Sequence, residues 1–223
     1  MNPTDAIKKI NGKGVLLVYP IKNAKEPASL WSELFPRTKM RWEWDADGDQ
    51  KVSDLWLLRE KLSTSNKVVY AKWYQGRATF FSFDLYKACL RILAENDYFQ
   101  NSLSFQAQEI LDILKEDSPL STKQMKRATD LVGRDQEPAY NRAMKQLWAR
   151  FLIVAFGEVD EGAFPSLAVG SSNLLFEDLW IKAQDIPLQQ AKDTLDRYMP
   201  AGSLWRKYWD RQIKQMEANG KNK

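Results

Sequence analysis

Residues 121–169 read STKQMKRATDLVGRDQEPAYNRAMKQLWARFLIVAFGEVDEGAFPSLAV and carry a clear succession of helix and strand signals. Ser121 and Gln124 have the spacing of a capping box, in which the serine side chain accepts a hydrogen bond from the Gln124 amide and the glutamine side chain reaches back. We therefore predict a short helix that starts at Ser121 and ends at Gly133, where the backbone loses its helical preference.

A longer helix is predicted over Pro138–Arg150. Proline is tolerated in a first helical turn, and the apolar residues that follow it recur at helical spacing. Two apolar runs, Leu152–Val159 and Ala163–Val169, then flank the turn Asp160-Glu161-Gly162. This arrangement is typical of a β-hairpin.

The segment before this stretch supplies one more helix. Apolar residues recur at intervals of three and four from Leu103 to Leu114, and the pattern stops at Asp117-Ser118-Pro119. Three short helices followed directly by a hairpin is the element order of a winged helix-turn-helix. Residues of about 103–176 are therefore predicted to form this fold, and the alternative is a helical core with an incidental hairpin.

The predicted helix Pro138–Arg150 carries a polar face opposite its apolar stripe. Asn, Gln, Arg and Lys are the side chains that contact bases and phosphates in a major groove, whereas a merely solvated face would carry more glutamate. We expect this helix to enter the major groove of double-stranded DNA, the wing at 160–162 to meet a phosphate backbone, and flanking bases to add salt-dependent affinity. The predicted nucleic-acid-binding residues are Lys123, Lys126, Arg127, Arg134, Asn141, Arg142, Lys145, Gln146 and Arg150.

The N-terminal half shows a less regular version of the same succession. A helix that feeds a hairpin recurs there, so a second, degenerate winged helix is predicted. Asp84 is predicted to cap the helix that follows the hairpin. The predicted elements are helices at Asp5–Ile10, Ala28–Phe35, Ser53–Leu62 and Asp84–Glu95, a strand at Val15–Tyr19, and a hairpin of Lys67–Trp73 and Arg77–Ser82 around Tyr74-Gln75-Gly76.

The chain is thus predicted to be an α+β protein, helix-rich with small β-hairpins, and the winged helices are arranged in tandem. The predicted divisions are an N-terminal α+β module at 1–98, a winged helix-turn-helix at 99–180 and a C-terminal helical extension at 181–223. Helices are expected there at Ala191–Tyr198 and Leu204–Met216. The second of these has an apolar stripe that should pack on the body, and the bases Arg206, Lys207, Arg211 and Lys214 should face outward.

Composition excludes several classes of site. The chain has 223 residues, a net charge of +4, one cysteine and no histidine, so histidine-based catalytic triads and zinc sites are not expected. Cys89 lies in an apolar stretch and is expected in the core. There is no phosphate-binding glycine loop, no signal-peptide pattern and no apolar run of the ~20 residues that a membrane span needs. We expect a cytoplasmic protein with no cofactor, no metal and no membrane partner.

One segment has part of a calcium-binding pattern. Asp45, Asp47 and Asp49 match the first, third and fifth ligands of an EF-hand loop. Gln50 replaces the glycine of the sixth position and Trp56 the glutamate of the twelfth, so an acidic loop before a helix at Ser53 is the preferred interpretation.

A resemblance to a known family rests on Trp42-Glu43-Trp44, Leu55-Trp56, the run KVVYAK at 67–72 and the run GRATFFSFDL at 76–85. Over 14–176 the chain resembles bacterial proteins related to the AlkZ/YcaQ alkylpurine and crosslink-repair DNA glycosylases. The resemblance implies tandem winged helices around a DNA-binding concavity and a role related to DNA repair.

The catalytic element of those glycosylases does not carry over. They use a Gln-apolar-Gln triplet in their N-terminal part, and this chain has none before residue 100; Gln106-Ala107-Gln108 falls on the first helix of the second module. No catalytic residue is therefore assigned. A nucleic-acid-binding protein is the preferred hypothesis; the alternatives are a DNA glycosylase for alkylated or crosslinked bases, with Trp42, Trp44 and Trp73 as stacking candidates, and a winged-helix protein-interaction module.

Overall fold

The structure is a computed structural model, and it describes residues 2–41, 50–159 and 165–221. Within these ranges it consists of helices and two small antiparallel sheets, each of three strands. The predicted α+β, helix-rich class is confirmed. The acidic loop at 45–49, the tryptophans at 42 and 44 and the wing tip at 160–162 lie outside the described residues.

The first unit, as we name residues 3–81, comprises α1 (Pro3–Lys13), β1 (Val15–Leu17), α2 (Leu30–Leu34), α3 (Gln50–Ser63), β2 (Val69–Ala71) and β3 (Thr79–Phe81). The middle strand is β3, which pairs antiparallel with both β1 and β2. All residues of the three strands are buried, as expected for short strands covered on both faces. The predicted hairpin at 67–82 is confirmed, while α3 includes Gln50 and so starts earlier than the predicted Ser53.

Two helices connect the units, α4 (Phe83–Ala94) and α5 (Tyr98–Asn101). The N-cap of α4 is Ser82, whose hydroxyl accepts a hydrogen bond from the Leu85 amide at 3.3 Å. The prediction that Asp84 caps this helix is wrong, because the extended backbone of an N-cap occurs at Ser82 and Asp84 already lies in the first turn. The Asp84 carboxylate instead forms an exposed ion pair with Lys87 at 3.3 Å.

The second unit, residues 105–171, comprises α6 (Phe105–Glu116), β4 (Leu120–Ser121), α7 (Thr122–Ala128), α8 (Glu137–Ala149), β5 (Ile153–Val159) and β6 (Ser166–Ser171). The capping box is confirmed: Ser121 Oγ accepts from the Gln124 amide at 3.1 Å, and Gln124 Oε1 accepts from the Ser121 amide at 2.7 Å. The helix ends at Ala128, earlier than the predicted Gly133.

The two units have the same topology. Each runs helix, strand, helix, helix, strand, strand, and in each sheet the last strand lies between the other two. In the second unit the pairing of β5 with β6 shifts register between Ala155 and Glu158, where Gly157 has a φ of 80° that favours glycine. This repeated order is consistent with the tandem winged-helix-like arrangement that the sequence predicts.

The C-terminal part contains α9 (Ser172–Leu175), α10 (Glu177–Gln184), α11 (Leu188–Tyr198) and α12 (Leu204–Lys221). The predicted helices near 191–198 and 204–216 correspond to α11 and α12, whereas α9 and α10 were not predicted. Trp205, Tyr208 and Trp209 of α12 are buried, as their spacing indicates.

The buried residues of all three parts form one continuous core. Trp73, from the turn after β2, lies at a junction of these parts. Its ring stacks on Phe151 of the second unit at 5.6 Å and on Trp205 of α12 at 6.3 Å, and it meets Tyr208 edge-on at 4.9 Å. Aromatic pairs of this kind add to the free energy of apolar burial, so the β2–β3 turn is held firmly against the second unit and α12.

Candidate nucleic-acid interface

The third helix of the second unit, α8, separates its apolar residues from its polar ones. Tyr140, Ala143 and Met144 are buried along one stripe that continues to Leu147 and Trp148. Residues three and four apart share a face of a helix, so the positions between them point elsewhere. The predicted polar face of this helix therefore exists.

Six of the predicted nucleic-acid-binding residues are exposed, namely Lys123, Arg127, Arg134, Asn141, Arg142 and Lys145. Within the described part of the chain, neither Arg142 nor Lys145 forms an ion pair. Their charges are thus not compensated by a contacting carboxylate, and α8 presents two cations to solvent one turn apart.

Two further predicted residues are exposed less and are engaged by neighbours. The Lys126 ammonium forms an ion pair with Glu137 and lies 4.8 Å from the centre of the Tyr140 ring. This contact lowers the pKa of Glu137, because Lys126 donates a hydrogen bond to the carboxylate. Gln146 Oε1 accepts a hydrogen bond from the Ser104 amide at 3.0 Å, so it connects α8 to the start of α6.

Arg150 does not belong to the interface, and its prediction as a nucleic-acid-binding residue is wrong. Its side chain is buried, and the guanidinium donates to the Phe99 carbonyl at 3.0 Å and to the Ser102 hydroxyl at 2.9 Å. Burial lowers the pKa of Arg150 to about 10. Arg150 thus connects the end of α8 to the end of α5. The apolar run that starts at Phe151 was the sequence signal that could have indicated its burial.

A cavity of about 600 Å³ opens beside α8. It lies between the β2–β3 turn of the first unit, one side of α8 and the middle of α12, and strand β6 also contributes to its wall. The cationic residues that line it are Lys72, Lys145 and Arg211. The structure thus brings together cations from three segments that are far apart in sequence.

The sequence interpretation missed Lys72 as a functional candidate and placed Arg211 on an outward basic face, either solvated or supporting a backbone contact. Both side chains are exposed and line the cavity with Lys145. The pKa of Lys72 is lowered by partial burial and, secondarily, by the positive charge of Arg59. No periodic pattern in the sequence links these positions, because the contacts between the units create the cavity.

The third helix of the first unit, α3, is partly covered by the second unit. Arg59 of α3 forms a buried ion pair with Glu158 of β5 and donates to the Tyr70 hydroxyl at 3.3 Å. Burial alone would lower the pKa of Arg59, but Tyr70 and Glu158 together raise it. Ser63 Oγ accepts from the Gly157 amide at 3.0 Å, so two turns of α3 are fixed to β5.

The remaining candidates for chemistry have structural surroundings. Ala107 of the Gln-Ala-Gln triplet is buried in α6, and Gln108 Nε2 donates to Asp112 at 2.8 Å. Cys89 is buried, and burial raises the pKa of its thiol. The described residues contain no cluster of three or more acidic or cysteine side chains that could hold a metal ion.

Comparisons with known proteins give a family but no named relative. No curated protein and no solved structure matches this chain. Among the described helices, none combines the length and apolar character that crossing a membrane requires. The model of one protein family, described as "AlkZ related", matches residues 1–207, and the chain therefore belongs to the AlkZ-related family.

Proposed function

We propose that this chain is a nucleic-acid-binding winged-helix protein that holds double-stranded DNA in a role related to DNA repair. The observation that carries the proposal is the polar face of α8, where Asn141, Arg142 and Lys145 are exposed. Membership in the AlkZ-related family supports the connection to DNA repair.

In this proposal α8 enters a major groove. Arg142 and Lys145 contact guanine or phosphate, Asn141 contacts adenine, and exposed bases on neighbouring segments contact the backbone. The backbone contacts are made by Lys123, Arg127 and Arg134. We retain the division into modules of 1–98, 99–180 and 181–223 as part of the proposal, with the second module making the main contacts.

The first experiment measures duplex affinity by fluorescence anisotropy with a labelled 20-base-pair DNA. The variant Arg142→Ala/Lys145→Ala is expected to bind at least tenfold more weakly at about 100 mM salt, because two phosphate or base contacts are removed. The matched control is Lys61→Ala/Lys67→Ala, which removes two exposed charges from the first unit. Equal affinity of the α8 variant and the unaltered protein would reject the proposal.

The proposal concerns binding and not catalysis. The family's Gln-apolar-Gln element has no counterpart before residue 100, and the triplet at 106–108 has its Gln108 side chain engaged with Asp112. Purified protein incubated with alkylated duplex is expected to produce no abasic sites above background. Abasic-site formation that depends on the protein would replace this proposal with a glycosylase activity, and a protein partner bound at high salt without any DNA binding would replace it with an interaction module.

A further inference from the structure

The cavity beside α8 has a buried apolar wall and an exposed cationic edge. Met144, Trp148, Val169 and Tyr208 line it and are each less than a tenth exposed. The exposed residues Lys72, Lys145 and Arg211 line the same space. A cavity with this division matches an amphipathic ligand, one part of which is apolar and the other anionic.

The charges around the cavity favour an anion. The acidic residue among those that line it is Glu137, and the ammonium of Lys126 already compensates this carboxylate. The nearby guanidinium of Arg59 is already compensated by its ion pair with Glu158, so the positive charge at the cavity comes from the residues that line it. The described lining residues thus include three cations and no unpaired carboxylate, a balance of charge that favours an anionic ligand.

A buried hydrogen-bond donor also lacks an acceptor at this place. Trp73 lines the cavity, and its indole Nε1 is buried with no hydrogen-bond partner among the described residues. An indole N–H can only donate, and no acceptor for it lies among the described residues. Buried polar groups are almost always paired in folded proteins, and an exception of this kind is often a place for water or a ligand.

The side-chain amides that line the cavity and its size further restrict the class of ligand that fits. Asn141, Gln212 and Gln215 offer both donors and acceptors, which is the pattern that recognises the edge of a heterocycle. A volume of about 600 Å³ is in the range of sites for small organic ligands. An apolar wall, edge-recognising amides and an anion site together match a planar base with a phosphate.

We propose that this cavity binds a nucleoside monophosphate, with its phosphate at Lys72, Lys145 and Arg211 and its base against the apolar wall. Two sources present this same chemistry: a free mononucleotide, and an unpaired nucleotide within a bound strand. The second source rests on the proposed function, whereas the first does not. The side chains supply the phosphate contacts, since the chain has no glycine-rich phosphate loop.

The test uses Lys72 and Arg211, because Lys145 also belongs to the proposed duplex surface. Calorimetry with adenosine monophosphate is carried out on the unaltered chain, on Lys72→Gln/Arg211→Gln and on the control Lys67→Gln/Lys207→Gln, whose exposed lysines do not line the cavity. The unaltered chain and the control are expected to bind with the same Kd within twofold. The cavity variant is expected to bind at least tenfold more weakly.

A second arm distinguishes the sources. Affinities are measured for a fully paired duplex and for the same duplex with one unpaired adenosine. A preference for the second DNA that disappears in Lys72→Gln/Arg211→Gln supports the strand as the source, and binding of the mononucleotide without this preference supports the free ligand.

Failure of this inference is separable from failure of the proposed function. Two results would overturn the inference. The first is the absence of both mononucleotide binding at millimolar concentration and a preference for the unpaired nucleotide. The second is mononucleotide binding, or such a preference, that is unchanged in Lys72→Gln/Arg211→Gln. The affinity for fully paired duplex and its loss in Arg142→Ala/Lys145→Ala are read out independently in the same series.

Discussion

The third helices of the two units occupy the same place in the same topology, but they present different surfaces. In α3, Arg59 and Ser63 are bonded to β5, and the exposed positions include Trp56 and Leu57. In α8, the corresponding surface is polar and carries cations that contact no carboxylate within the described residues. The comparison shows that one topology presents two different third-helix surfaces, one bonded to a neighbouring strand and one polar and exposed.

The largest effect is expected from breaking the contact that makes α3 structural. Arg59→Ala should reduce the free energy of unfolding by about 3–5 kcal/mol, because it leaves the Glu158 carboxylate buried without its partner. Urea denaturation measures this change. The double variant Arg59→Met/Glu158→Leu removes both charges and is expected to recover most of the stability. A loss below about 1 kcal/mol for the single variant would show that α3 does not depend on β5.

The next largest effect is expected at Arg150, where a substitution should change the stability of the second unit without changing its affinity for DNA. Arg150→Ala should lower the free energy of unfolding by about 2–3 kcal/mol, since the Phe99 carbonyl and the Ser102 hydroxyl lose their buried donor. Thermal or urea unfolding measures it. The folded variant should bind duplex within twofold of the unaltered chain, whereas a tenfold loss at unchanged stability would return Arg150 to the interface.

A smaller effect compares the helix caps of the two halves. Ser82→Ala and Ser121→Ala should each reduce the free energy of unfolding by about 1 kcal/mol, because each serine satisfies an amide in the first turn of its helix. Asp84→Ala serves as the control and should change stability little, as its ion pair with Lys87 is exposed. A larger loss for Asp84→Ala than for Ser82→Ala would contradict the assigned cap of α4.

The smallest effect is expected at the acidic start of α8. Glu137→Gln frees Lys126 from its ion pair and removes a negative charge near the proposed phosphate contacts. Duplex affinity should rise about two- to threefold at low salt and the difference should fade as salt screens these exposed charges. Anisotropy titrations at two salt concentrations measure it, and a decrease in affinity would mean that Glu137 orders the interface.

Local patterns in the sequence predicted most elements of the two units. The capping box at Ser121, the hairpin around Gly76 and the apolar periodicity of α6 and α8 depend on neighbours within a few residues, and each was confirmed. The prediction of the Asp84 cap failed because Ser82, two residues earlier, can also cap the helix, and only the backbone geometry distinguishes the two.

The parts that could not be predicted depend on distant contacts. Arg59 and Glu158 are 99 residues apart, and Arg150 meets carbonyls about 50 residues earlier. The cavity likewise combines Lys72, Lys145 and Arg211, which no periodicity connects. Sequence reasoning found the exposed face of α8 because one helix determines it, and it missed the cavity because packing between three parts of the chain determines it.

The most direct test of the proposal that α8, and not the first unit, contacts DNA is the salt dependence of duplex binding. The slope of log K against log salt falls by about 0.9 for each phosphate contact removed. Arg142→Ala/Lys145→Ala should therefore reduce the magnitude of the slope by about 2 units if both side chains contact phosphate, and Lys61→Ala/Lys67→Ala should leave it unchanged. An unchanged slope in the α8 variant, or an equal reduction in the control, would contradict the assignment of DNA binding to α8.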